Sequence, residues 1–155
     1  MPAANWVEER AEQVRRHLAL DDLPGVAGLD RLCRWLEGRV HVERRPGALG
    51  ICMHHEDGTA SIWAPDDPEI LTHEVGHALC TTGLGLYLRS HGHPIARRQV
   101  WKEEHIANRF ARAFLIPPAL LHRYRDDDEL ADLSGCSVET VRRRREEVGD
   151  VGRET

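Results

Sequence analysis

No stretch of this 155-residue sequence is long and apolar enough to cross a bilayer. Its opening, Met1-Pro2-Ala3-Ala4-Asn5-Trp6-Val7-Glu8-Glu9-Arg10, lacks the basic-then-apolar order of a secretory signal. Cys-x-x-Cys pairs are missing too. Cys33, Cys52, Cys80 and Cys136 are scattered, which excludes a zinc ribbon and argues against a disulfide framework. These absences together point to a cytoplasmic protein with buried, reduced thiols and no membrane partner. Excess positive charge is also lacking. At a net charge of −5, bulk electrostatics does not draw the whole molecule to a polyanion. What remains, 41% hydrophobic and 30% charged residues, is ordinary for a globular protein, and the length fits one compact domain with a small appendage.

Histidine is abundant, with ten copies, and two of them frame the most informative stretch, His73-Glu74-Val75-Gly76-His77. Residues four apart on a helix lie one turn apart on the same face, so His73 and His77 can hold one zinc ion. Glu74 sits about 100° further round, where it can reach a water beside the metal without being a ligand. Leu71, Val75, Ala78 and Leu79 supply an apolar backing for this helix.

A catalytic zinc takes three protein ligands and leaves a fourth position open. The next helix, read as Val100 to Leu115, offers Glu103, Glu104 and His105. Val100, Glu104, Ala107, Ala111 and Phe114 share one face, and its alanines permit close approach to another helix. Glu104 is therefore the expected third ligand, with Glu103 and His105 directed elsewhere. Asn108, one turn on, is placed to hydrogen-bond a ligating imidazole.

Upstream, apolar spacing predicts a helix from Asn5 to about Leu20 and a second to about Glu37, stopped by Gly38. Strands follow at Arg39–Arg44, Leu49–His54 and Thr59–Trp63, the last two joined around Glu56-Asp57-Gly58 as a hairpin. The expected class is α+β, zincin-like, with a small three-stranded antiparallel sheet packed on the His-Glu helix. Ser61-Ile62-Trp63 is either the sheet edge that receives an extended substrate or part of a hairpin that covers the core. His54 and His55 read as a surface pair, with substrate binding as the alternative. Gly85 to Arg98 reads as a loop beside the cleft. A second donor to the oxyanion of a peptide carbonyl is usual, and Tyr87, His91, His93 and Tyr124 are the candidates.

The linked stretches His73-Glu74-Val75-Gly76-His77, Glu104-His105-Ile106-Ala107-Asn108-Arg109-Phe110-Ala111 and Phe114-Leu115-Ile116-Pro117 resemble the ImmA/IrrE family of metallopeptidases. That family pairs H-E-x-G-H with E-x-x-A-N-x-F-A-x-x-L-L-x-P, and the resemblance covers roughly residues 25–148. It implies a gluzincin-like fold, one zinc held by His73, His77 and Glu104, and Glu74 as general base. Family members are cytoplasmic and typically cleave helix-turn-helix repressors of mobile elements or stress responses. One departure is Ile106, where members often carry a second glutamate. The chain is also too short for the C-terminal sensor domain that some members possess.

Residues 1–117 thus read as the metallopeptidase domain, and 118–155 as a helical C-terminal subdomain with a polar tail from Gly149. Leu130-Ala131-x-Leu133-x-Gly135-Cys136-Ser137-x-x-Thr140-Val141-Arg142 is similar to a helix-turn-helix, with Ser137 as the N-cap of a helix to Val148. Arg142, Arg143, Arg144 and Arg145 are the possible nucleic-acid contacts. A helical subdomain that packs on the peptidase or helps to grip the substrate is the preferred reading. Three functions follow: a zinc endopeptidase acting on a regulatory protein, a DNA-binding regulator with a structural or vestigial zinc site, or an antitoxin-like module that holds a partner uncut.

Overall fold

The computed structural model describes residues 2–153, with side chains for residues 5–149. Its helices are α1 (Pro2–His17), α2 (Leu29–Leu36), α3 (Pro68–Cys80), α4 (Leu84–Ser90), α5 (Ala96–Leu115), α6 (Pro118–Arg123), α7 (Asp127–Ser134) and α8 (Val138–Arg153). A short 3-10 turn, Gly25–Gly28, leads into α2. Strands β1 (Val40–Arg44), β2 (Ile51–His54) and β3 (Ala60–Ala64) form one sheet, so the class is α+β.

The sheet is mixed, where the strand pattern suggested an antiparallel one. Its order is β1-β3-β2, with β3 parallel to β1 and antiparallel to β2. Residues 45–50 carry the chain from β1 past β3 to β2. That crossing spans about 10 Å, well within the reach of six residues. Ala60, Ile62 and Ala64 of β3 are buried, which suits a central strand. Ser61-Ile62-Trp63 is therefore not an edge; β2 is the edge on the side of α3.

Helix α3 starts where its sequence provides a stop and a cap. Asp67 Oδ1 accepts from the backbone N–H of Glu69 at 2.9 Å and of Ile70 at 3.1 Å, and Pro68 occupies the first turn without losing a bond. Leu71 and Val75 are fully buried beneath the sheet. Helix α5 is the longest element and crosses the middle of the molecule, contacting α1, α3, α4 and α8. Val7, Ala11 and Val14 of α1, with Leu18 just beyond its end, repeat at three- and four-residue spacing and pack against the same core as Phe110 and Phe114.

The segment from Gly85 to Arg98 is largely helical, not a loop. Helix α4 fills its first part, and α5 begins at Ala96 instead of Val100. Seven residues with two glycines nearby present too little periodicity to be read as a helix.

The C-terminal helices join the same core. Leu130, Ala131, Cys136 and Val141 belong to one hydrophobic cluster with residues of α1, β3 and α3. Ser137 caps α8 as expected, accepting from Thr140 N–H at 3.1 Å, and Glu69 of α3 accepts from Ser137 N–H and the Thr140 hydroxyl. Helix α8 continues to Arg153, through much of the expected polar tail; residues 154–155 lie outside the described residues.

The arginine run divides, so two of its four members are unavailable for nucleic acid. Arg144 is fully buried: its Nε donates to the Ile116 carbonyl at 2.9 Å, and its two terminal nitrogens donate to Glu8 at 2.5 and 2.9 Å. Arg145 donates to Asp127 at 2.6 Å and to the carbonyls of Leu121 and Tyr124. Arg142 and Arg143 remain exposed. The physical cause is helical geometry: Val141, Arg144 and Val148 share the inward face.

Burial alone would raise the Glu8 pKa, but hydrogen bonds and charges from Arg144 and Arg109 outweigh it and hold the carboxyl below its usual range. A depressed carboxylate contributes stability above its unfolded pKa and loses it as pH falls through the folded value. We expect Glu8→Gln to lower the unfolding free energy by about 2–4 kcal/mol at pH 7, because it strips a buried arginine of its main counter-charge. Urea melts across pH should show that deficit in full above about pH 5, shrinking towards zero below the ordinary carboxylate range.

Candidate metal centre

Helix α3 presents His73 and His77 one turn apart, with ring centres 4.8 Å from each other and the planes nearly perpendicular. Helix α5 brings Glu104 over them. Glu104 Oε2 lies 3.1 Å from His73 Nε2, and Oε1 lies 2.8 Å from His77 Nε2. One donor atom from each of the three residues falls within 4.8 Å of the others.

The approach depends on small residues. A Cβ at Gly76 would stand 2.9 Å from the Ala107 carbonyl oxygen and 3.0 Å from Ala107 Cα. Ala107 is fully buried and Ala111 nearly so, as the sequence pattern on this face anticipated. Without a side chain at Gly76, the two backbones meet and Glu104 reaches both imidazoles.

The outer nitrogens fix how the rings present themselves. His73 Nδ1 is 2.7 Å from Asn108 Oδ1, an acceptor, so this nitrogen carries the proton. His77 Nδ1 faces the Thr81 hydroxyl at 3.3 Å. That hydroxyl donates to the His77 carbonyl at 2.8 Å, so it offers the ring a lone pair. Both Nε2 atoms then turn lone pairs toward the Glu104 carboxylate. Three lone-pair donors gathered within 4.8 Å of one another repel unless protons or a cation separate them. Burial, followed by the neighbouring His73 charge, lowers the His77 pKa and so favours the neutral ring. Tetrahedral zinc at 2.0–2.2 Å from each ligand would space the ligand atoms by about 3.3 Å, close to the separations of 2.8 and 3.1 Å here. The donor set therefore fits a zinc ion.

Glu74 is 5% exposed and has no hydrogen-bond donor or cation on its carboxylate among the described residues. Burial first, then the Glu104 charge, pushes its pKa up to about 7. A bound cation would draw it back down. Gly50 leaves open the space beside it: a Cβ there would lie 3.1 Å from Glu74 Oε2. Cys52 stands behind as a neutral thiol, its pKa pushed up to about 12 by burial and the Glu74 charge, so it is no nucleophile.

These groups open on a cleft of about 960 Å³ between β2 and α4. Glu74, His77 and Glu104 form its floor, with His54 and His55 on the strand side. Of the four candidate oxyanion donors, Tyr87 lines the cleft, exposed, with its ring centre 4.3 Å from that of His91 and the planes tilted by 33°. His91 turns Nδ1 back to the Tyr87 carbonyl, and His93 accepts from the Ile95 N–H at the turn into α5. Tyr124 is held in the link between α6 and α7, packed against the core. Neither His93 nor Tyr124 lines this cleft.

Sequence reading missed two residues here. Thr81 is one turn beyond His77, where the same spacing rule points to it. Glu103, which helical phase directs away from the Glu104 face, is 6% exposed and lines the cleft. Its stripe, Ala96, Glu103, Ala107 and Phe110, is buried throughout.

No protein-family model matches the chain, and no curated protein does. Among solved structures it is similar to a Mycobacterium tuberculosis transcriptional regulator, with 22% sequence identity and a TM-score of 0.55. The likeness covers 88% of this chain and 45% of that one, so this chain spans less than half of its length.

Gly76→Ala tests what brings α3 and α5 together. The added methyl meets backbone, which cannot rotate away, so a loss of about 1–3 kcal/mol in unfolding free energy is expected from denaturant melts.

Proposed function

We propose that this chain is a zinc-dependent endopeptidase with a zincin-like active site, of the ImmA/IrrE kind, and that it cuts a regulatory protein such as a helix-turn-helix repressor. The observation that carries this reading is the convergence of His73, His77 and Glu104 beside the unpaired carboxylate of Glu74, in a cleft bounded by an edge strand. A plain salt-bridge cluster would not leave a buried glutamate free next to three lone-pair donors.

His73 and His77 would hold the zinc through Nε2, and Glu104 through its carboxylate, with Asn108 and Thr81 fixing the two rings. When bound, the metal supplies Lewis acidity and lowers the pKa of water towards about 7. Glu74 accepts the proton of the attacking water on its carboxylate and passes it to the leaving nitrogen. Strand β2 offers its free edge to an extended substrate, which seats the scissile carbonyl over the floor of the cleft. Tyr87 is the side chain best placed to donate a hydrogen bond to the carbonyl oxygen as charge develops there.

A second reading, a regulator that binds DNA, draws on the name of the structural neighbour and on the exposed Arg142 and Arg143. It weakens because Arg144 and Arg145 are engaged within the fold. Salt-dependent DNA binding that disappears in an Arg142→Ala/Arg143→Ala variant would favour it.

Two measurements decide the main reading. Elemental analysis should find about one zinc per wild-type chain, and Glu104→Ala should lose most of it. Glu74→Gln should keep the metal while cleavage of a co-expressed repressor falls by about 10²–10⁴-fold. Full zinc binding by Glu104→Ala, or undiminished cleavage by Glu74→Gln, would sink the assignment.

A further inference from the structure

The wall of the cleft between β2 and α4 holds a charge that the proposed chemistry does not use. Glu103 is 6% exposed, yet it lines the cleft. Both of its hydrogen bonds end on Oε1, from the Gly85 backbone N–H at 2.7 Å and Gln99 Nε2 at 3.0 Å. Neither donor is charged. A carboxylate buried this far ordinarily has a cation or several donors on both oxygens.

Across from it, His54 of β2 adds a second unmatched group. Its Nε2 is shielded from solvent and has no hydrogen-bond partner. The ring cannot easily turn away. Gly83, in the left-handed region at φ +77°, presses its backbone against it, and a Cβ there would come within 2.9 Å of His54 Cδ2.

Glu103 thus faces the cleft with only neutral donors on one of its oxygens, and His54 adds an unpartnered ring nitrogen to the same cleft; the ligand chemistry that matches the carboxylate is a donor carrying positive charge. Only lysine and arginine, among substrate side chains, are donors without acceptors that bring a full charge at neutral pH. Arg89 also lines this cleft, but it is exposed, so water screens it far more than the buried Glu103.

We propose that Glu103 and His54 form a specificity pocket that takes a lysine or arginine side chain of the cleaved protein, close to the bond that is cut. This rests on the peptidase reading above. Gly85 and Gln99 hold the carboxylate in place from behind, so it meets the substrate already oriented. Glu103 does not touch the reacting atoms; it selects which segment is presented to them.

The test is a cleavage profile. A peptide library made from a whole proteome with chymotrypsin is incubated with the zinc-loaded wild-type protein, and new termini are read by mass spectrometry. Glu74→Gln runs beside it as the blank. Cut sites should be enriched in lysine and arginine at one position within two or three residues of the bond. Two synthetic peptides, with lysine or norleucine at that position, are then compared on wild type and on Glu103→Gln. The kcat/KM ratio of lysine to norleucine should fall by roughly 10- to 100-fold in the variant, the range of a hydrogen bond to a charged group. This ratio is taken within one protein preparation, so partial misfolding of the variant does not alter it. Cleavage without basic enrichment, or an unchanged ratio in Glu103→Gln, overturns the pocket and leaves the peptidase standing. Wild-type cleavage no greater than the Glu74→Gln blank overturns both.

Discussion

The contact of α3 with α5 through Gly76 and Ala107 is the constraint on which the site depends. Two helices can approach this closely only when one side of the contact has no side chain. The approach lets a single carboxylate, Glu104, bridge both imidazoles at 2.8 and 3.1 Å. It also seals Phe110 in the core and sets Asn108 against His73. Moving the helices apart by one methyl would loosen the packing and the donor geometry together. Stability and chemistry are coupled at this one crossing, not distributed over separate parts of the molecule.

Local pattern made part of this legible in the sequence. The His-Glu-x-x-His spacing places two imidazoles on one face whatever the rest of the chain does, and Ala107 and Ala111 mark the face that carries Glu104. Asn108 follows by the same rule. Long-range pairing was not legible. Nothing in residues 39–64 says that β3 sits between β1 and β2, because a parallel pairing leaves no short turn to read. For that reason the pattern leaves Ser61-Ile62-Trp63 open between sheet edge and core-covering hairpin, whereas in the fold β3 is central and β2 is the free edge beside α3. Charge also misled where helical phase would have served. Arg144 reads as one of four possible nucleic-acid contacts until it is set beside Val141 and Val148. Glu103 is directed away from the ligand face by helical phase, and only the stripe of Ala96, Ala107 and Phe110 shows that its own face is buried.

Buried charge recurs in this protein in two forms. Around Arg144, Glu8 and Glu147 supply counter-charge on nearly every side, and the result is a satisfied network that ties helices together. Around Glu74 and Glu103 no such counter-charge is present among the described residues, although both are almost fully shielded. The difference separates an ion-pair network closed within the fold from two carboxylates without a cationic partner inside it. Glu103 has two neutral donors on a single oxygen, and burial, then the Glu104 charge, disfavours the charged form of Glu74.

The Glu8–Arg144 pair joins residues 136 positions apart, so it closes a loop that includes nearly every other element. Arg144 also holds the Ile116 carbonyl, immediately beyond the end of α5. During synthesis on a ribosome, α1 through α7 emerge before Arg144. The C-terminal end of α5 is held first by Arg15 of α1, whose Nη1 donates to the Phe114 carbonyl at 2.7 Å, and gains its second hold once α8 has been made. Contacts of this sequence separation form late and slowly. Final locking of the helix that bears Glu104 is thus linked to completion of α8, although α8 contributes no atom to the His73, His77 and Glu104 cluster.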